Sequence, residues 1–526
     1  MFASDRLCSL SRVALWAAIF AVGAAPGCGD SLGAGGEDRP PAPHGVVLVT
    51  LATLRADHLP WHGYPRNTAP FLASLAERST VFLDDVSTAS QTAPSHGSML
   101  TGLFPSQHGV TLNGGEMSST ITTLPEILGA EGYDTAAFTS VNFLEGLSRG
   151  FEVFEDPGVL ENDMGQGLST SSHRTAADTV GAALQWLEQR SGDKPFFLWV
   201  QLFDVHEWKG LPVPQDVLDR LHGEDAAAGL SGAALVNWLV EQQGLDPDGF
   251  ESEKQLGEAL PNIDRYDGAI ALVDKAVSQL FDGVSSAPGG DNVAWIVTAD
   301  HGEGFTNHGL LGHSRHVYNE QLKVPLLVHG SHGRWPPAQV SGVVQSTDIV
   351  PTVIELCGAT QRPTVMKVGS SALVGRSWLA LLQGSGEGLS AGQDDEALAP
   401  GEMLPAVSAA LLLKAAVLGE RLAFSERRPM DDHQRESGST GGEARVLQDD
   451  RYKLITHDHA PAEFYDIEAD PLELQDLADA APHAFMDYLQ ALSGHDQILR
   501  KQAAEIGPAV VDPEHLDELR RLGYVK

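Results

Sequence analysis

The sequence predicts an α/β fold: a large sandwich domain with a mostly parallel central sheet, plus a small C-terminal domain with an antiparallel sheet and helices. Three observations lead there. Apolar, β-rich runs alternate with amphipathic stretches, as in a sheet covered by helices on both faces. Clusters of Thr, Asp and His stand directly after several of those runs, where open α/β sheets gather their ligand sites. Near the end of the chain the strand-like runs become short and closely spaced.

Val46-Val47-Leu48-Val49-Thr50 reads as the first buried strand, and residues 197–202, 293–298 and 326–329 as further ones. Helices are predicted over 71–78, 124–131, 175–189 and 266–280. Residues 207–262 form a long insertion, helical near 233–243, that borders the expected site. Residues 384–400 and 427–443 are Gly/Ser- and charge-rich and read as mobile linkers. After them, 445–447, 452–456 and 463–466 read as short strands, closed by helices such as 482–492 and 513–522. The organisation expected is a main domain over 44–383, a linker-rich crossover over 384–443 and a small subdomain over 444–526.

The chain has 526 residues, enough for one large domain and a smaller one. Hydrophobic content of 42% and charged content of 20% mark it as globular. A formal charge of −37 argues against polyanion binding as its main task. No nucleic-acid motif is present, and an anionic substrate needs a local positive site. At the N-terminus, Arg6 and Arg12 precede an apolar run over 13–25, too short to span a bilayer but suited to a signal peptide over 1–27. Ala25-Pro26-Gly27-Cys28 is similar to a bacterial lipobox, and the Gly/Pro-rich residues 28–43 suit a tether after a lipid-modified Cys28. The expected location is the bacterial cell envelope, with the chain held to the membrane through that anchor. Cys357, in an apolar run, is expected to be a buried hydrophobe.

The stretch richest in chemistry is Thr92-Ala93-Pro94-Ser95-His96-Gly97-Ser98-Met99-Leu100-Thr101-Gly102. A hydroxyl stands at the start of a helix, where free N–H groups and the dipole favour an anion. The same pattern also describes a helix N-cap with a proline in the first turn. The stretch resembles the nucleophile segment of the sulfatases, in the alkaline phosphatase superfamily, whose pattern is C/S-x-P-S-R followed by a helix ending in L-T-G. Pro94, Ser95, Leu100, Thr101 and Gly102 match; Thr92 stands at the nucleophile position and His96 at the arginine position. The resemblance runs from residue 43 to residue 526. Thr50 to Asp57 is similar to the first metal loop, and Phe203-Asp204-Val205-His206 to the central histidine strand. Thr298-Ala299-Asp300-His301-Gly302-Glu303 is similar to the second metal loop, and Gly312-His313 through Glu320 to the late histidine or lysine segment.

The resemblance implies a hydrolase of sulfate or phosphate esters with a divalent cation held by Asp300, His301 and Thr92. The essential carboxylate of the first loop is replaced by Ala52, with Thr53 beside it and Asp57 one turn further on. Hard cations need several anionic oxygens. Three ligands with one carboxylate make a poor calcium or magnesium site, closer to a zinc-like one. Calcium, magnesium, manganese or zinc is therefore expected to be weakly held or absent. Formylglycine, made in this family from Cys or Ser, cannot form at Thr92. By the same resemblance His206 would protonate the leaving group, while His313 and Arg315, with His316 as a rival, would meet the anion. Ser95 and His96 are further substrate-binding candidates. Three readings follow: an atypical or impaired sulfatase-family hydrolase, an inactive lipoprotein of this fold that binds a glycan or anion, and a threonine-based phosphoryl-type transferase. In each the partner is a sulfated or phosphorylated small molecule or glycan.

Overall fold

In chain order the strands are β1 (Gly45–Leu51), β2 (Thr80–Val86), β3 (Asp134–Thr139), β4 (Val153–Glu155), β5 (Phe196–Leu202), β6 (Val293–Ala299), β7 (Gly304–Phe305), β8 (Leu311–Gly312), β9 (Lys323–Gly330), β10 (Ala338–Val340), β11 (Val344–Gln345), β12 (Ala423–Arg427), β13 (Ala444–Gln448), β14 (Tyr452–His457) and β15 (Glu463–Asp466). They are seen in a computed structural model that describes residues 41–158, 173–223, 232–250, 259–360, 375–383, 421–427, 443–458 and 460–506. Cys28 with its leader and tether, the linkers 384–400 and 428–442, and the helix expected at 513–522 lie outside the described residues.

The main sheet runs β10-β2-β9-β6-β1-β5-β3-β4, with β11 also on β2. Only β9 is antiparallel to its neighbours; the other pairings are parallel. β1, β5 and β6 are buried at every position. Their β-branched and aromatic runs suit strands covered on both faces. Alternate residues of β1 enter opposite layers. Val47, Val49 and Leu51 join the core beneath the helices Ala176–Gln189 and Ala259–Ser286. Val46 and Leu48 join the core beneath Thr92–Thr101, Leu124–Ala130 and Ile349–Cys357. Each such side chain contributes roughly 1.5–3 kcal/mol on burial, so a one-residue slip of β1 would exchange both cores. The register pairs Leu51 with Leu202 and with Ala299. The chain thus leaves β1, β5 and β6 at one level of the sheet.

The second sheet, β12-β13-β14-β15, is wholly antiparallel. Phe424, Leu447, Leu454 and Phe464 pack against Tyr488 and Leu492 of the helix Pro482–Ile506. β12 falls within the stretch read from sequence as linker-rich. The helix expected at 266–280 is longer, Ala259–Ser286, and takes its first residues from the end of the expected insertion. Cys357 is half-buried rather than fully enclosed, because it lies at the end of its helix. Among the described residues no helix is long and apolar enough to cross a membrane.

Candidate functional site

The helix Thr92–Thr101 follows β2 and is buried throughout. Its N-cap is Gln91, whose side chain makes no capping bond. The Ala93 N–H is instead taken by Asn113 Oδ1 at 2.8 Å. The Thr92 hydroxyl is therefore not used as the cap that the sequence also allowed. It faces the second loop, 3.4 Å from His301 Nε2. Behind it, Ser95 Oγ donates to the Asp300 carbonyl at 2.7 Å, and Ser87 Oγ shares that acceptor. Helix and loop are thus tied together by hydroxyl bridges.

Asp300 and His301 follow β6 and are fully buried. Asp300 Oδ1 accepts the backbone N–H of Thr53 at 2.9 Å and that of His301 at 2.8 Å. Burial opposes ionisation of Asp300, but His301, His96 and these two amides hold its pKa below the usual carboxylate value. His301 Nδ1 donates to the Gly302 carbonyl at 2.9 Å. A carbonyl only accepts, so the neutral ring carries its proton on Nδ1 and turns a lone pair on Nε2 towards Thr92. Burial lowers the His301 pKa against the opposing pull of Asp300.

Two further imidazoles complete this edge. His313 lies with its ring centroid 4.7 Å from that of His301 and 4.9 Å from that of His206. Each is aimed by a carboxylate: His206 Nδ1 meets Glu207 Oε1 at 2.9 Å, and His313 Nδ1 meets Glu303 Oε1 at 3.3 Å. Glu303 Oε2 also accepts from Trp208 Nε1 at 3.3 Å. Burial would raise the Glu303 pKa, but His313, His206 and Lys209 hold it at about 2.

Thr92, His206, His301, His313 and Asp300 are therefore brought together. The remaining candidates are not. His96 is buried with both nitrogens occupied: Nδ1 donates to Thr92 O at 2.8 Å, and Nε2 meets Thr50 Oγ1 at 2.9 Å. Ser95 points at the Asp300 carbonyl. His316 turns towards Gln321 Nε2 at 3.0 Å and Glu320. Arg315 is exposed between them. Ser95 and His96 thus direct their polar atoms into interior hydrogen bonds, whereas His316 keeps Nδ1 buried without a partner. Asn113 and Glu303 were not singled out as site residues from sequence. An Asn-Gly pair signals a turn, and an acid after Asp-His-Gly signals nothing by itself.

The first loop carries little anionic donor capacity. Ala52 is buried in the apolar core beneath the Thr92 helix. Thr53 adopts φ +56° and its hydroxyl has no partner. Asp57 is spent on Arg55, which binds both its oxygens at 2.8 and 2.7 Å. Asp300 Oδ2 is likewise buried and unpartnered. Thr53 Oγ1, Asp300 Oδ2, Thr92 Oγ1 and His301 Nε2 thus offer one carboxylate, one imidazole and two neutral hydroxyls. Among the described residues no group of three or more His, Cys, Asp or Glu side chains is arranged to hold a metal ion. This donor set does not fit a hard divalent cation.

A mostly parallel sheet with a hydroxyl at a helix start, an Asp-His loop and two further histidines at one edge defines an alkaline phosphatase-type ester hydrolase fold. The sulfatase family model matches residues 44–359, and the chain belongs to the sulfatase family. It is 23% identical over 523 residues to the multifunctional alkaline phosphatase superfamily protein PehA of Trinickia caryophylli, covering 85% of this chain and 93% of that one. It is 22% identical over 340 residues to an ulvan-active sulfatase of Formosa agariphila, covering 61% and 62%. The solved phosphonate monoester hydrolase of Agrobacterium radiobacter superposes with a TM-score of 0.58 at 18% identity, over 88% of this chain and 96% of that one. The fold expected from the sequence is confirmed.

Proposed function

We propose that the chain is an atypical hydrolase of phosphate or phosphonate monoesters, with Thr92 as nucleophile and little activity on sulfates. The observation that carries this reading is the Thr92 hydroxyl, which caps nothing and meets His301 instead. A simple alkoxide can attack phosphorus and form a covalent intermediate. The aldehyde-based route of the family's sulfatases needs a Cys or Ser that position 92 lacks. His206 stands ready to protonate the leaving oxygen, with His313 beside it. A panel of nitrophenyl phosphate, phosphonate and sulfate esters tests the reading. Turnover should favour the phosphorus esters, vanish in Thr92→Ala and fall at least tenfold in His206→Ala. Brisk sulfate hydrolysis that survives Thr92→Ala would remove Thr92 as nucleophile.

One observation favours a second reading, an anion-binding protein without turnover: the site has a single metal-type carboxylate. Silence across the panel, with phosphate or sulfate still binding, would select it. On either reading the sequence supports a location in the cell envelope through a lipid on Cys28. Mass spectrometry of the membrane fraction would find a mature chain beginning at a lipid-modified Cys28; a soluble chain starting elsewhere would end that proposal.

A further inference from the structure

We infer that Lys209 forms a second anion-binding point beyond the reacting centre, so that the preferred ester carries a further negative group on its alcohol part. The inference rests on the reading of His206 as the group that protonates the leaving oxygen, and it names the class of substrate that this site takes.

The chain leaves β5 in a run of tight turns. The N–H groups of His206, Glu207 and Trp208 donate to the carbonyls of Phe203, Asp204 and Val205 at 3.0, 3.2 and 3.4 Å, and the Gly210 N–H donates to the Glu207 carbonyl at 2.9 Å. In turns closed over three residues, side chains at i and i+3 eclipse. His206 and Lys209 therefore share a face. Trp208, between them, is fully buried and gives its Nε1 to Glu303 Oε2 at 3.3 Å. Lys209 Nζ lies 5.4 Å from the centroid of that ring. Aromatic faces attract cations, so Trp208 seats the ammonium while Lys209 stays exposed. Its charge reaches Glu303, the carboxylate that aims His313.

The two neighbouring carboxylates are already engaged. Glu207 Oε1 meets His206 Nδ1 at 2.9 Å, and Glu303 Oε1 meets His313 Nδ1 at 3.3 Å. Lys209 forms no ion pair among the described residues, and an ammonium has three donors to offer a ligand. Direction follows from the chemistry. In-line displacement puts nucleophile and leaving oxygen on opposite sides of phosphorus. The Thr92 hydroxyl, His301, His313 and His206 form a row in that order. The alcohol part of the ester thus runs past His206, along the face that Lys209 shares. A negative group there meets a cation on a chain whose formal charge is −37; a neutral alcohol gains nothing from it.

The test compares 4-carboxyphenyl phosphate with 4-carbamoylphenyl phosphate, esters of nearly the same shape that differ by one charge. The native chain should favour the carboxylate by about threefold to fivefold in kcat/KM, the range of an exposed ion pair, and mainly through KM. Added salt should shrink the preference. Lys209→Met should abolish it and Lys209→Arg should keep it. Lys194→Met, which removes an exposed lysine before β5 at the opposite end of the strand, should keep it too. Calorimetric titration of Thr92→Ala, with and without Lys209→Met, reads the same point without turnover: the carboxylate should bind more tightly only where Lys209 is present. Equal handling of the two esters by the native chain, or a preference that survives Lys209→Met, would overturn the inference, while turnover of both would leave the hydrolase reading intact. The binding difference without turnover of any ester would do the reverse. If neither ester is bound or turned over, both are removed.

Discussion

The loops after β1 and β6 leave adjacent strands at the same level, yet they hold opposite chemistry. The β6 loop gathers polar function: Asp300, His301 and Glu303 all face the site or its histidines. The β1 loop turns its charge inward. Arg55 and Asp57 bind each other, and Ala52 sits in an apolar core. Its polar effort goes into anchoring. His58 Nδ1, the Tyr64 hydroxyl and Arg66 Nη1 converge on Asp267 of the long helix at 2.9, 2.8 and 2.8 Å. The Tyr266 hydroxyl accepts from the Arg55 N–H and donates to the Thr53 carbonyl. The contrast teaches that a loop can keep its place and its backbone while losing the carboxylate that its position would provide. What is held rigid is the backbone that meets the β6 loop: the Thr53 amide on Asp300, with Arg55 Nη1 donating to the Glu303 carbonyl at 3.1 Å.

The largest expected effect breaks that anchoring. Asp267→Ala removes the acceptor of three buried donors and leaves Arg66 with Asp264 alone. Losing one partner of a buried pair costs about 3–5 kcal/mol. Urea unfolding should show that loss. A change below about 1 kcal/mol would mean that the β1 loop is not held by Asp267.

The β6 loop is secured differently, through the Thr92 helix, and that helix rests on a neutral histidine. His108 Nδ1 accepts the Val110 N–H at 3.1 Å, and its Nε2 reaches the Pro94 carbonyl at 3.2 Å. A Cβ on Gly97 would fall 2.6 Å from the His108 ring, so helix and ring are in close contact. Burial lowers the His108 pKa to about 3. The unfolded chain therefore takes this proton first, near pH 6.5, and stability is lost as pH falls from there towards 3. The expected slope is about 1.4 kcal/mol per pH unit for this group. Thermal unfolding from pH 7 to pH 5 should show a falling midpoint, and less of a fall in His108→Gln. A flat profile would place a charged histidine in the fold.

Much of this was legible in the sequence. The four strand runs chosen from apolar pattern are all strands, because full burial on both faces leaves an unbroken apolar signature. β2 and β12 were not chosen. β2 carries Asp84 and Asp85, which mask its period, and β12 is five residues long with Glu426 and Arg427 at its end. At the site, motif order placed Thr92, Asp300, His301, His206 and His313 together. It left open which way Ser95, His96 and His316 turn, because that depends on tertiary partners such as the Asp300 carbonyl, Thr50 and Glu320. The inward pairing of Arg55 with Asp57 was equally invisible, since an acid two residues from an arginine is compatible with either a ligand or an ion pair.

The smallest expected effect sharpens the comparison most directly, by converting one loop into the likeness of the other. Ala52→Asp returns a hard anionic ligand next to Thr53, whose amide already touches Asp300. Affinity for calcium, magnesium, manganese or zinc should rise by at least tenfold, about 1.4 kcal/mol. The unliganded variant should be less stable than the native chain, because the new carboxylate enters an apolar core. Asp57→Asn is the matched control. Its carboxylate is already engaged by the buried Arg55 guanidinium, so cation affinity should not change. Calorimetric titration of the three proteins separates the cases. Equal binding by native protein and Ala52→Asp would show that position 52 does not face Asp300. A loss of binding in Asp57→Asn would make Asp57 a ligand despite its ion pair, and the two loops would then be less different than the geometry makes them.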